Sequence, residues 1–378
     1  MCRLVRLLLC LVAWGMSVTA HSECLRTDDP STRTNPETGK PFKINAAALN
    51  DLAEIGVSEK FIWDDLARTS IPETQGCWAG ASGNDDGQIL SLGVQQWNFG
   101  QNSLQMLLRK FKALPGSDAA ITQTMPTYGG RFFSDGCLRL SGPNQVAGSN
   151  TKISQACFNF ISAHYTNGKP GFALDFLHEV ESLFNSPLMR QVQLDEYVRN
   201  ISAHKHDFTV YFPNDKPPSP IQVKWVIDIT TQQGGLPPYS SVVAARQIFS
   251  RLSSTDKQAD LIATAQWYEG ACKFSDSEGV GHKHADCDYN AARLRAFATS
   301  GAWKTEDYKG VADLFLLTRI KSRIAQGKGG IYQAVSFERR IQIALGCGMV
   351  SGTPIKCPFY DGKKISTAPT ATRLAHAP

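Results

Sequence analysis

From residue 44 onward, apolar residues return every three or four positions, the spacing of helices that bury one face. "NAAALNDLAEI" predicts a first helix, and "VSEKFIWDDLART" a second with Ser58 placed as its N-cap. The rhythm breaks at Pro72 and Glu73. Residues 87–98 alternate instead, which predicts a strand or hairpin. "NSLQMLLRKFKAL" is an amphipathic helix with Ser103 near its start. Leu114 to Thr151 is rich in Gly, Pro, Ser and Thr and reads as an irregular excursion.

Helical spacing then resumes in "ISQACFNFISAHY", "FALDFLHEVESLF" and "PLMRQVQLDEYVRNISAHKHDF". "IQVKWVIDITTQQ" is apolar nearly all round, which predicts a buried helix. "SSVVAARQIFSRL", "QADLIATAQWYEGACKF" and "YNAARLRAFATS" follow. "VSFERRIQIALGCG" is the last helix, ending at glycines that suit a C-cap. No internal repeat is visible. The pattern predicts an α+β domain, mostly helical, with one small β element near its start.

The ends differ from this body. Arg3 and Arg6, the apolar run "LLLCLVAW" and the small residues up to Ala20 form a secretory signal, residues 1–20. Residues 21–42 are a polar lead-in, 43–360 the main domain, and 361–378 a flexible tail. No later run approaches the ~18 apolar residues of a spanning helix, so a soluble secreted or periplasmic protein without stable membrane insertion is expected. Without Arg3 and Arg6 the chain keeps 37 basic against 34 acidic residues, a net of about +3. That excess is too small to point to nucleic acid, though it permits an anionic polymer.

Removing Cys2 and Cys10 with the signal leaves Cys24, Cys77, Cys137, Cys157, Cys272, Cys287, Cys347 and Cys357. An even set in an exported chain predicts disulfides, with about a hundred pairings open. Short loops favour Cys272 with Cys287 and Cys347 with Cys357.

The chemistry centres on "GNDDGQILSLGVQQWNFGQNSL". Asp85-Asp86-Gly87 makes a good hairpin turn by itself. Glu73 stands thirteen positions before Asp86, between a helix and this hairpin. Two carboxyl groups set across a cleft are what glycoside hydrolysis requires. The acid partner needs a partly apolar setting, which Trp78 and Trp97 are placed to supply. Aromatic faces and amides such as Gln95, Gln96 and Asn98 are natural sugar contacts.

"ETQGCWAGASGNDDGQILSLGVQQWNFGQNSLQMLL" resembles the helix-Glu plus hairpin signature of lysozyme-like glycoside hydrolases. It is most similar to a group of secreted bacterial peptidoglycan hydrolases (muramidases), with Asp86, Gly87, Ser91, Gly93, Gln96, Trp97, Asn98 and Gly100 all in pattern. Its hairpin half also resembles the chitosanases of that superfamily. "WVIDITTQQGG" and "FERRIQIALGCGMVSG" resemble the superfamily's central buried helix and closing helix.

The resemblance implies a lysozyme-like, two-lobed fold with a small β-hairpin or sheet lining the cleft, over roughly Ile44 to Phe359. It makes Glu73 the general acid and Asp86 the base. Ser91 helps hold the attacking water. Gln96, Trp97 and Asn98 are substrate contacts. Asp228 with Arg339 or Arg340 as its partner base is a structural ion pair holding the lobes together. Ile89 departs from the resemblance, because a glycine is expected just before the Leu-Ser pair. No metal or organic cofactor is implied.

Other histidines and acids have plainer readings. His282, His284 and Cys287 in "GHKHADCD" have zinc-ligand chemistry, but the compartment favours a disulfide at Cys287. "HEVESLF" at His178 lacks the second histidine of a zinc-protease helix. His204 and His206 lie near a helix end, where positive charge is favourable. The reading is therefore an exported glycosidase acting on β-1,4-linked amino-sugar polymers, peptidoglycan ahead of chitosan. The competing classes are a non-catalytic wall-binding protein, a toxin with an immunity protein as partner, and a wall amidase or peptidase.

Overall fold

A computed structural model describes residues 24–26, 29–83, 87–166, 171–278, 284–325, 330–350 and 353–355. The expected signal (residues 1–20), Asp85, Asp86, His282, Cys357 and the expected tail (residues 361–378) lie outside the described residues. The chain is α+β and mostly helical. Its first part runs α1 (Ala46–Ala53), α2 (Glu59–Thr69), α3 (Ile71–Thr74), β1 (Ala81–Ser82), β2 (Ser91–Leu92), β3 (Trp97–Asn98) and α4 (Ser103–Lys112). Ser58 caps α2 as expected, its hydroxyl accepting from the Phe61 N–H at 3.2 Å. The three strands form one antiparallel sheet in the order β1-β2-β3.

The expected irregular excursion holds three short helices, α5 (Ser117–Thr124), α6 (Gly129–Phe132) and α7 (Asp135–Leu138). Their apolar residues are too few per turn to show a period, yet Ile121, Phe132 and Cys137 are buried. Next come α8 (Gln155–Ser162), α9 (Leu174–Asn185) and α10 (Pro187–Ala203). The long run read through His204 divides there, and α11 (Lys205–Tyr211) begins anew. The His204 imidazole turns to Asp207, Nδ1 to Oδ2 2.7 Å, at that break.

α12 (Pro220–Gln233) is buried as predicted and opens with a capping box between Ser219 and Gln222. The rest is α13 (Tyr239–Arg251), α14 (Ser254–Ser277), α15 (His284–Ser300), α16 (Val311–Ser322) and α17 (Gln333–Leu345), then a hairpin of β4 (Gly348–Val350) and β5 (Thr353–Ile355). Gly346 ends α17 in the left-handed conformation at φ 65°.

α16 and the β4–β5 hairpin were not legible in the pattern. α16 is wedged between two hydrophobic clusters, so it has no single apolar stripe. Leu314 and Leu317 belong to one cluster, Val311 and Phe315 to the other. The first cluster otherwise gathers residues from Leu25 to Val242, the second those from Leu261 to Cys347. α12 packs on α17 across the join, and the Trp225 Nε1–H donates to Thr318 Oγ1 at 2.8 Å.

The lead-in is more than a polar approach. Leu25 and Phe42 are buried, and the Phe42 ring lies 6.1 Å from that of Trp78. Cys24 is bonded to Cys77, three residues after α3. Cys137–Cys157 closes the α7–α8 corner, and Cys272–Cys287 joins α14 to α15 as the loop length predicted. That bond also removes Cys287 from any zinc site. Cys347 is disulfide-bonded as well. No helix among the described residues is long and apolar enough to cross a membrane.

Non-reducing peptide mapping should recover Cys24–Cys77, Cys137–Cys157 and Cys272–Cys287 as separate linked pairs. Any other partner for one of these six cysteines would contradict the arrangement of α3, α8 and α15.

Candidate functional site

α3 is a single turn. Ser70 starts it, and its carbonyl accepts from the N–H groups of Glu73, Thr74 and Gly76 at 3.2, 2.8 and 3.2 Å. Gln75 closes it in the left-handed region at φ 57°. The turn is held from the lead-in by the Cys24–Cys77 disulfide and by the Leu25 N–H on the Gly76 carbonyl, 2.7 Å. Glu73 is thus fixed in its backbone, while its side chain stays 19% exposed.

That turn is seated directly on the sheet. A β-carbon on Gly80 would fall 2.4 Å from both Cβ and Cγ2 of Thr74. The Gly80 carbonyl in turn accepts from the Gly93 N–H at 2.9 Å and from Gln96 Nε2 at 3.1 Å. Glycine is required here because a methyl would part α3 from the hairpin.

The hairpin keeps a tight register. Ser91 lies between Ser82 and Asn98, and Leu92 between Ala81 and Trp97. Strand side chains alternate, so Leu92 and Ser91 point to opposite faces of the sheet, and both are buried, Ser91 at 5% exposure. Gly93 has φ 79°, and a β-carbon there would meet Gln193 Oε1, Trp97 and Phe184. A β-carbon on Gly100 would fall 2.4 Å from Gln88 Oε1. Gly93 and Gly100 of the sequence motif are therefore positions of close approach, whereas Gly87 has open space around it and is set apart by its φ of 77°.

Ile89, which stands where the resemblance leads one to expect glycine, has φ 72°. Leu90 N–H donates to the Gln88 carbonyl across it at 2.8 Å, a γ-turn of the rare positive-φ kind. Among the described residues the non-glycine residues with positive φ are Gln75, Ile89, Gln96 and Asn102. All four lie between Glu73 and the start of α4. Backbone strain of this kind gathers where geometry is being enforced.

The structure gives the three expected substrate contacts local work. Gln96 donates to Gly80, as above. Asn98 Oδ1 accepts from the Gln101 N–H at 2.8 Å. Trp97 is buried in the first cluster.

Glu73 is joined to the expected ion pair rather than standing apart from it. Its Oε1 contacts Arg339 Nη1. Arg339 also donates Nη2–H to Asp228 Oδ1 at 2.6 Å and Nε–H to the same oxygen at 3.1 Å. Arg340 Nε lies 2.9 Å from Asp228 Oδ2, an ion-pair approach without a directed hydrogen bond. Arg340 Nη1 donates to the Ser336 carbonyl at 2.6 Å and contacts Gln232 Oε1. The cluster thus runs from Gln232 on α12, through Asp228 and α17, to α3. Glu73 is its partly exposed end.

Charges so deeply placed depend on one another. Burial alone would raise the Asp228 carboxyl, but Arg339 and Arg340 outweigh it and hold it below the usual range. Arg339 is pushed up by Asp228 and Glu73 against its own burial. Burial draws Arg340 down to about 10, so it stays charged at neutral pH.

Sequence reasoning missed a second buried acid. Asp65 on α2 is fully buried, with the Tyr197 hydroxyl of α10 donating to its Oδ2 at 2.6 Å. Burial raises its carboxyl above the usual value, against the pull of Lys224 and the Tyr197 hydroxyl. The signal was available in "FIWDDLART", where Asp65 falls on the same stripe as Ile62 and Leu66.

The two acids give stability opposite pH slopes. Asp228 contributes fully above the unfolded carboxylate value of about 4 and loses that contribution only as pH falls through its lowered folded value. At Asp65, above about pH 4 the unfolded chain releases a proton that the folded chain keeps, so stability declines as pH rises toward the raised folded value. Asp65→Asn keeps a carbonyl for Tyr197 and should flatten the decline in urea midpoint above about pH 5. An unchanged slope would count against a protonated Asp65. Asp228→Asn should instead cost ~3–5 kcal/mol at neutral pH, because the buried Arg340 loses its counter-ion and Arg339 keeps only Glu73. Gly80→Ala should cost ~1–3 kcal/mol as the new methyl meets Thr74. A Gly80→Ala protein as stable as the parent would show that α3 is not seated on the sheet.

No family model, curated protein or solved structure matches the chain.

Proposed function

We propose that the protein is an exported glycoside hydrolase acting on a β-1,4-linked amino-sugar polymer, peptidoglycan before chitosan. The observation that carries this reading is the placement of Glu73. It is a partly exposed carboxyl on a rigid turn, seated against a strained hairpin sheet and backed by a buried charge cluster. Enzymes hold catalytic groups on such pre-set geometry.

In this proposal Glu73 protonates the leaving oxygen and Asp86, which lies outside the described residues, serves the water or the developing charge. Ser91, opposite Leu92 on β2, orients that water. Gln96, Trp97 and Asn98 shape the hairpin face that meets the sugar. The mildly basic chain favours an anionic wall polymer over a polycation. The signal segment and the disulfides support export to an oxidising compartment, where that polymer is found.

The Glu73–Arg339 contact also favours a second reading. In it Glu73 only anchors α3, and the protein binds wall glycan without cutting it, alone or as a toxin component held by an immunity protein. Glu73→Gln separates the two. Hydrolysis predicts a drop in reducing-end release from purified peptidoglycan of at least ~100-fold, the scale of a lost general acid, with glycan binding retained. Undiminished release by Glu73→Gln would remove Glu73 from the chemistry. Binding without release by the parent protein would favour the second reading.

A further inference from the structure

The strain at Ile89 needs something to hold it. Ile89 is the one β-branched residue with positive φ among the described residues, and it is fully buried. Such a backbone persists only when its surroundings over-determine it. The next residues, Leu90 and Ser91, lead straight into β2, and the residues just after β3 bond around the γ-turn. Phe99 N–H donates to the Leu90 carbonyl at 3.2 Å and Gly100 N–H to the Gln88 carbonyl at 3.0 Å. Flattening Ile89 would shift where Ser91 sits between Ser82 and Asn98.

One side chain reaches the strained unit from far along the sequence. The Tyr165 hydroxyl donates to the Ile89 carbonyl at 2.7 Å, across 76 residues. Tyr165 is itself firmly seated. It pairs with Phe172 in an isolated β-bridge, their rings are 5.4 Å apart, and Phe172 lies 5.4 Å from Phe176 on α9.

We propose that Tyr165 is a positioning residue for the hairpin, its hydroxyl fixing the Ile89 carbonyl so that β2 presents Ser91 in register. This rests on the hydrolase reading for its catalytic consequence, but the clamp itself does not. Burial pushes the Tyr165 hydroxyl up to about 12, so it remains a donor throughout the working pH range.

A double-mutant cycle on the full chain tests it, using Tyr165→Phe, Ile89→Gly and the pair, with purified peptidoglycan as substrate. Tyr165→Phe should lower kcat by roughly 10- to 100-fold, the cost of a small misplacement, with KM changed by less than about twofold. Glycine adopts positive φ without strain, so in the Ile89→Gly background the same change should cost less than about threefold. Equal losses in both backgrounds would overturn the clamp.

Should the parent release no reducing ends, the hydrolase reading fails and urea unfolding decides the clamp separately. Tyr165→Phe should then shift the unfolding constant by roughly fivefold in the parent, the size of one hydrogen bond, and by less in Ile89→Gly. Additive shifts would overturn it. If Ile89→Gly does not fold, amide exchange in Tyr165→Phe alone serves. Faster exchange confined to residues 88–100 supports the clamp, and unchanged or uniformly faster exchange overturns it.

Discussion

Asp228 is the counter-ion on which the architecture depends. It sits mid-helix on α12, where the first hydrophobic cluster ends, and meets two consecutive arginines of α17. A lone carboxylate or guanidinium at such depth would be prohibitive, so each is stable only with the other in place. This makes the junction between the clusters all-or-none. α12 and α17 dock in the register that pairs these charges, or they leave them bare. Apolar contacts alone would tolerate sliding of one helix along the other. The ion pair does not.

The same junction controls the edge of the candidate site. Arg339 reaches past Asp228 to Glu73, so a residue on the closing helix, 266 positions along the chain, sets the electrostatic surroundings of a carboxyl near the beginning. From the other side, Thr74 presses on Gly80 and ties that turn to the sheet. The candidate site is thus defined by two constraints, one ionic and reaching across most of the chain, one steric and local. Neither belongs to the hairpin that first draws the eye.

Much of this was legible in the amino-acid order, and the failures have physical causes. Helices with one apolar stripe, such as α2 and α4, could be read because each faces a single core. α12 could be read as buried because it is apolar nearly all round. α16 escaped because it divides its apolar residues between two clusters, which erases the period. The short helices α5 to α7 escaped because each carries too few apolar residues to mark a repeat. At the site, Asp228 pairs with both Arg339 and Arg340, where the resemblance implied one or the other, and the attachment of Glu73 to that cluster was not foreseen. A contact between residues so far apart leaves no local trace. Ile89 shows the reverse case. The missing glycine was visible at once, and its cost became visible only with φ.

The disulfide between Cys24 and Cys77 adds a condition that lies outside the fold's noncovalent logic. Cys77 follows Glu73 by four positions, and Cys24 belongs to the lead-in. In a reducing compartment the lead-in is held there only by noncovalent contacts such as Leu25 on Gly76. Oxidation makes that attachment permanent. The rigidity of the Glu73 turn is therefore a property of where the chain resides as well as of its sequence, and the chain acquires it on reaching an oxidising environment.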